Sequence, residues 1–368
     1  LAFKSPTLKN NPMNLQLNPL KIWLAGLTCL MFTAASLFAQ PPGKGGGGGG
    51  GDSSSNGGGV IYFTYGPSWS TDLYQMNADG SGVTMLPVPT TGLGSPSFKL
   101  HAGKRWFIKE NLYQNYESYT GVVSTDGDVV PLFLNEGLVQ VRGDRQWTKD
   151  DRYISFPAQR LDTNVNSVTF NQWVDFGLYR VEIIYSEPEG YPLGTVGQPT
   201  FVFPSSAVYY NNQSVLQADI RSHSWADDGL RFVFSRYVST HRLSVGDLSK
   251  AETTDIAVDP AGWFGGRVCW SPRSERVMFN YVDSKAKVMA MNIDGTGITE
   301  IASSTSTVTV YAGDWSPTGS HLTYKHQDGW GKDSRIIRAT TTGGSKTRIT
   351  TKALFGSGPT GPTVIGWR

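Results

Sequence analysis

Cysteine is almost missing from this chain of 368 residues: there are two, Cys29 and Cys269. Cys29 falls in an N-terminal leader, so the remainder has one thiol and no route to an internal disulfide. A disulfide-stapled miniprotein and a cysteine-rich zinc protein are both excluded. Charge of one sign is missing as well. The formal net charge is +2, and residues 1–39 hold Lys4, Lys9 and Lys21 with no acid. The rest therefore carries 29 basic side chains, the 32 of the chain less these three, against 30 acidic ones. Such a body has no built-in pull toward nucleic acid or anionic lipid, and no nucleic-acid partner is expected. Nothing sustains apolar heptads, which excludes a long coiled coil. The five histidines make no His-Glu-x-x-His pattern, and no cofactor or metal is expected.

The long apolar run is at the front. Residues 22–39 read IWLAGLTCLMFTAASLFA, after Lys21 and ending in small residues. A basic flank, an apolar stretch and a small terminal residue describe a secretory signal peptide, with cleavage expected after Ala39. A retained transmembrane anchor is the alternative, because the run is of borderline length to span. With the leader removed, no stable membrane span is expected, and the protein is exported to the periplasm or the outside of the cell. Residues 40–59 contain Pro41-Pro42, the polyglycine Gly45–Gly51 and Ser53–Ser55, the composition of a flexible tether. The expected organisation is a leader over 1–39, a tether over 40–59 and one folded domain over 60–368.

That domain is a string of short β-type runs broken by Gly, Pro, Asp and Asn. A repeat underlies it. Val268-Cys-Trp-Ser-Pro-Arg-Ser-Glu-Arg-Val-Met-Phe matches Gly313-Asp-Trp-Ser-Pro-Thr-Gly-Ser-His-Leu-Thr-Tyr, and looser copies begin at His223, Gln146 and Ser97. Each copy reads as strand, tight polar turn, strand, with an aromatic before the turn. The aromatics Phe98, Trp147, Trp225, Trp270, Trp315 and Trp367 are 49, 78, 45, 45 and 52 residues apart. A second hairpin turns at Asp79-Gly80 and at Asp294-Gly295, where positive φ favours the glycine. Roughly 45 residues is the period of a propeller blade. The 78-residue interval is counted as one blade, with 161–176 and 190–215 as added loops. The first unit lacks the aromatic strand, and the chain ends in a lone copy of it, 363–368. The reading is all-β: a six-bladed β-propeller of four-stranded antiparallel blades, its ring closed by the C-terminal strand joining the N-terminal blade. The blade aromatics are read as structural, packing between neighbouring sheets.

The Trp-Ser-Pro-x-Gly and Asn-x-Asp-Gly-x-Gly phrases, sharpest at 72–82, 270–280, 287–297 and 315–324, resemble the propeller repeats of the TolB family (WD40-like, of the PD40 type). That resemblance implies a cell-envelope propeller that docks protein partners. The same repeat occurs in prolyl-oligopeptidase-type peptidases, but no Gly-x-Ser-x-Gly nucleophile elbow accompanies it here.

Function is expected in the longer loops, counted as 109–118, 160–177, 236–242 and 325–335. They are rich in Tyr, Trp, Arg and His, types enriched at binding hot spots. With the residues just ahead of the inner strands they give a candidate partner-binding set at the pore mouth: Arg145, Arg221, His223, Arg236, His241, Arg267, Asp314, His326 and Trp330. The expectation is a monomeric, non-catalytic scaffold that binds a protein or peptide. Charge reversal at Arg145, Arg221 and Arg267 is expected to weaken capture without lowering the melting temperature. The rival is a carbohydrate-binding protein or a polysaccharide-lyase-like enzyme using the pore, with His223, His241 and His326 converging on it. A third reading is a structural module in a larger surface assembly.

Overall fold

The computed structural model describes residues 57–66, 72–88, 93–96, 103–114, 117–132, 139–141, 145–186, 190–203, 220, 222–238, 240–259, 261–329, 333–350 and 361–368. The expected leader, most of the expected tether, Phe98, Arg221 and Trp330 lie outside them. Among the described residues there is no helix, and the strands form six antiparallel sheets.

Blade 1 holds β1 (Val60–Tyr65), β2 (Asp72–Asn77) and β3 (Thr84–Leu86). Blade 2 holds β4 (Leu93–Pro96), β5 (Trp106–Gln114), β6 (Glu117–Ser124) and β7 (Val129–Leu132). Blade 3 holds β8 (Val139–Val141), β9 (Gln146–Trp147), β10 (Tyr153–Leu161), β11 (Trp173–Tyr185) and β12 (Pro192–Phe203). Blade 4 holds β13 (Ser222–Trp225), β14 (Arg231–Val238), β15 (Thr240–Asp247) and β16 (Glu252–Asp259). Blade 5 holds β17 (Val268–Trp270), β18 (Arg276–Val282), β19 (Ala286–Asn292) and β20 (Thr299–Ser303). Blade 6 holds β21 (Val308–Trp315), β22 (His321–Asp328), β23 (Asp333–Thr340) and β24 (Lys346–Arg348). The last strand, β25 (Thr363–Trp367), pairs with β1 and supplies the inner strand that blade 1 lacks. The inner strands β4, β9, β13, β17, β21 and β25 neighbour one another in that order, and β25 returns to β4. This is the six-bladed ring that the repeat predicts, closed by its C-terminal strand.

Blade 3 departs from the expected plan. Its inner strand is split: β8 pairs the far end of β10 at Ala158–Arg160, and β9 pairs Ile154 and Ser155. Much of 190–215 is not a loop, because β12 occupies 192–203 as the outer strand against β11. Alternation in that stretch is weakened by Gly194, Gly197 and Pro199, which hid the strand in the sequence. The segments 109–118, 236–242 and 325–335 are strand almost to their tips, with residues paired across each hairpin. Of the four expected loops, the one over 162–172 is a real loop.

The blades pack through the repeated aromatics and through turn glycines. Trp147, Trp225, Trp270, Trp315 and Trp367 are all buried. Trp315 Nε1 donates to the Cys269 carbonyl of the blade before it, at 3.0 Å. Trp225 Nε1 donates to Ser155 Oγ of blade 3, at 2.7 Å. In the Asp79-Gly80 and Asp294-Gly295 turns it is the glycine that takes positive φ, 90° and 84°. The aspartate accepts instead, from the backbone N–H of Ser81 or Thr296 at 2.9 Å. A Cβ on Gly80 would lie 2.1 Å from the Ile349 carbonyl oxygen, and one on Gly295 2.7 Å from that of Ile256. Both carbonyls belong to the outer edge of the preceding blade. The glycine thus meets two demands, a left-handed backbone and close approach of the next sheet.

Replacing Trp367 by Ala empties a fully buried site on the closing strand. The expected loss is about 3–5 kcal/mol in urea unfolding, as for large-to-small changes at aromatic core positions. A loss below about 1 kcal/mol would show that β25 does not lock the ring.

Candidate functional site

Antiparallel alternation gives the ring two ends. The inner strands start at one, which also carries the hairpins joining second to third strands; we call it the hairpin end. The other carries the tight turns after the blade tryptophans and is the turn end.

The structure disperses the expected binding set. His223 is fully buried between blades 3 and 4, so no partner reaches it. Its Nε2 lies 2.7 Å from Ser155 Oγ, which also accepts from Trp225 and sits 3.2 Å from the Gln146 carbonyl oxygen. A proton on Nε2 lets the serine accept from both rings and donate to that carbonyl. Burial pushes the imidazole down to about 3, so it is neutral at ordinary pH. Arg236 and Arg242 both bind Asp255 at 2.6 Å, and Ser244 donates to the same carboxylate at 2.6 Å. His241 packs against Tyr237 and Trp263 at the hairpin end, with ring centroids 4.7 and 6.5 Å away. His326 accepts from Arg335 Nε at 3.1 Å, and Arg335 also binds Asp328. Arg145 is half-buried at the start of β9. The three histidines 223, 241 and 326 thus serve three separate local networks. Among the described residues no group of three His, Cys, Asp or Glu side chains comes together to hold a metal ion.

Arg267 and Asp314 do meet, 3.8 Å apart, but as part of the frame. Arg267 reaches across to β25 and donates to the carbonyls of Val364 and Ile365, at 2.6 and 2.8 Å. Asp314 does not precede an inner strand, as its position beside Trp315 suggested. It lies within β21 and is buried. Its carboxylate accepts from the backbone N–H of Trp315 at 2.9 Å and of Trp367 at 3.0 Å. Arg368 Nη1 adds a third bond at 2.9 Å. Burial alone would raise this carboxyl, but Arg368, Arg267 and Lys149 outweigh it and hold it below its ordinary value. Cys269, buried beside them, has its thiol pushed up to about 11 by burial and is inert.

Below this frame, at the turn end, lies a cavity of about 280 Å³ on the ring axis. Every blade contributes: Trp367 and Arg368, Arg105, Lys149, Asp227, Arg273 with Pro272, and Trp315 with Pro317. Its charged walls are Arg105, Lys149, Arg273 and Arg368 against Asp227 and Asp314. Lys149, Asp227, Pro272 and Pro317 are each the second residue after a blade tryptophan. In blades 5 and 6 the Trp-Ser-Pro phrase puts proline there, while blades 3 and 4 put an ion. That break in the repeat was the sequence signal for this site. Burial and the nearby Arg368 push the Lys149 ammonium down to about 7, against the pull of Asp314, Asp227 and Cys269. The Asp227 carboxyl is raised by burial, against Lys149, Arg273 and Arg368.

The hairpin end has a different surface. The loop between β10 and β11 is tied at its base by Asp162. Its carboxylate accepts from the Asn164 N–H at 2.9 Å and from Thr169 Oγ1 at 2.6 Å. The Asp162 N–H also donates to the Gln172 carbonyl and the Asn171 N–H to the Asp162 carbonyl, with Asn171 at φ 59°. Hydrogen bonds from Ser167, Thr169 and the Asn164 amide hold the Asp162 carboxyl at about 2. The loop so fixed shows apolar side chains to solvent: Val165 is 72% exposed, Val168 98% and Phe170 48%.

Two outcomes follow from the buried groups. Asp314→Ala leaves Arg368 and Arg267 without their shared counter-charge and is expected to cost about 3–5 kcal/mol in urea unfolding. Arg267→Glu is expected to lower the melting temperature too, in contrast to the neutrality expected from the sequence. A melting temperature unchanged in both would refute the frame. His223 has its folded pKa depressed below the unfolded value, so the unfolded chain binds more protons between about 6.5 and about 3. Its contribution is whole above about pH 6.5 and declines as pH falls toward 3. Urea midpoints across that range should fall more steeply for the native chain than for His223→Gln, and equal slopes would count against it.

No family model matches the chain, and no curated protein matches it in sequence. Solved structures do match in fold. TolB from Acinetobacter baumannii is 12% identical with a TM-score of 0.51, over 83% of this chain and 66% of that one. This chain thus spans slightly less than two thirds of the TolB chain. A chain of a nidogen/laminin complex is 10% identical with a TM-score of 0.50, over 84% of this chain and 98% of that one. An oligogalacturonate lyase in complex with manganese is 14% identical, covering 79% and 73%, at a TM-score of 0.43 too low to carry an argument. What these likenesses establish is the fold alone, a β-propeller, which the strand pairing of this chain shows to have six blades.

Proposed function

We propose that this protein is an exported propeller scaffold that docks a protein partner on its hairpin end. The observation that carries this reading is the stiff loop over 162–172. A surface loop normally hides its apolar groups or moves. This one is held by the Asp162 bonds and still presents Val165, Val168 and Phe170 to water. Fixed apolar display lowers the ordering cost of association, which is how a preorganised surface gains affinity. The aromatic group Tyr237, His241 and Trp263 at the same end adds side chains of the types that dominate interface energetics. Two further points support the reading. The repeat resembles that of a cell-envelope docking family, and one structure of like fold is itself a protein–protein complex. Export rests on the leader over 22–39. The binding mode is rigid, with little backbone change. The role is non-catalytic, and the protein acts as a monomer.

The full chain, used as bait against native envelope and secreted fractions, is expected to retain a specific protein. Val168→Asp combined with Phe170→Asp should abolish that capture while the melting temperature stays within about 1 °C, since both side chains are exposed. Capture undiminished by the double variant would move the docking surface elsewhere.

A further inference from the structure

A second cavity, of about 260 Å³, lies on the flank of the ring between the outer strand of blade 4 and the middle strands of blade 5. Its walls include Phe264, Phe279, Tyr281, Met289 and Met291, and Asp259 is the charged group among them. We propose that this cavity binds a compact organic cation, a trimethylammonium-type group with no N–H of its own.

Shape is the first argument. The Phe264 ring centroid stands 5.8 Å from that of Phe279 and 5.5 Å from that of Tyr281, with the rings inclined by 62° and 45°. Rings so inclined make a concave corner rather than a flat stack. Aromatic faces attract a cation through their quadrupole, and the two methionine thioethers add soft, polarisable contact. Lys287 engages one of these rings in that way. Its Nζ lies 5.6 Å from the Tyr281 centroid while pairing with Asp283 at 2.7 Å. The volume falls below the roughly 300–1,000 Å³ of sites for drug-sized ligands, so a compact group fits and an oligosaccharide does not.

Asp259 is the second argument. Its carboxylate accepts from the backbone N–H groups of Ala261 and Gly262, both at 2.8 Å, and from the Tyr281 hydroxyl. A Cβ on Gly262 would lie 2.4 Å from the Tyr281 hydroxyl oxygen, so glycine is what lets the phenol reach the acid. The hydroxyl first, then the two amides, hold the carboxyl below its ordinary value. All three donors are neutral, so they fix the carboxylate and keep it ionised without cancelling its charge.

Charge and hydrogen-bonding capacity are thereby separated. A carboxylate has about four lone-pair sites, and three donors already use this one. A primary ammonium brings three donors and would meet walls of carbon and sulfur. A fully alkylated ammonium brings charge with no donor to satisfy. A neutral apolar occupant would desolvate Asp259 without offsetting the cost. A hard metal ion is unsuited, since one carboxylate among hydrocarbon gives too few oxygen ligands.

The test is calorimetric titration of the full chain with choline and with its neutral isostere, in which a tert-butyl group replaces the trimethylammonium. Choline is expected to bind saturably, and the neutral alcohol about tenfold more weakly. Substitutions at Ile298, which is 60% exposed on the rim, separate charge from apolar contact. Ile298→Lys should weaken choline binding about two- to fivefold and Ile298→Glu should tighten it by a similar factor, with the melting temperature unchanged in both. Asp259→Asn removes the charge and keeps the size; it should weaken choline about tenfold and leave the alcohol unmoved. Phosphatidylcholine vesicles identify the source of the group. Retention on vesicles that free choline displaces assigns it to a lipid head, and choline binding with no retention assigns it to a free solute. Equal affinity for choline and the alcohol would overturn the proposal, as would no saturable binding of choline or an equal effect of the two Ile298 substitutions. The variants lie on blades 4 and 5, so none of these results touches the docking loop on blade 3.

Discussion

The buried carboxylate of Asp314 is the constraint on which this ring depends. A propeller of this size must join its last sheet to its first, and here that junction is made in the interior. Asp314 on β21 receives the Trp367 amide of β25 and the Arg368 guanidinium, while Arg267 from blade 5 holds the β25 carbonyls. Three consecutive blades thus share one charged knot. A charge in such a place is unfavourable unless every lone pair is met, and here they are met by backbone donors as well as arginines. Elsewhere around the ring, blades are joined by the Arg231–Glu275 ion pair and by neutral contacts. Ser222 and Ser224 accept from the Val268 and Trp270 amides, and Asn280 accepts from that of Ala312.

The fold was legible in the sequence because the repeat encodes it at two levels. Tryptophans at fixed phase give the blade count, and the Asp-Gly turns give the outer hairpins. A lone terminal copy of the aromatic strand gives the closure. What was not legible was blade 3. The strand β12 carries glycine and proline and lacks clean alternation, and the inner strand there is broken into β8 and β9. The site was only partly legible. Residues ahead of the inner strands looked like a cationic mouth, but Arg267 and Asp314 turned inward to each other. Sequence proximity to a pore says nothing about whether a side chain faces the lumen or the neighbouring sheet. His223 shows the same lesson, since a polar residue in an inner strand can be satisfied wholly by Ser155.

The two ends of the ring now divide by chemistry. The hairpin end offers fixed apolar and aromatic side chains on protruding segments. The turn end offers a recessed, cation-rich cavity shared by all blades. The first suits a macromolecular surface, which needs area and shape. The second is a recessed space walled by charged side chains. A ring has room for both because its inner strands hold the two ends at a fixed separation.

Closure by β25 also sets an order of events. The strand that completes blade 1 is the last in the chain, and its partner β1 is the first. Until β25 arrives, the inner edge of β1 stands open and the charged knot has no Trp367 amide or Arg368 to bind. Contacts this distant in sequence form late, since the loop-closure entropy of the whole chain must be met before they contribute. A chain threaded outward from its N-terminus therefore emerges as an unclosed arc. It becomes a ring when β25 joins β1.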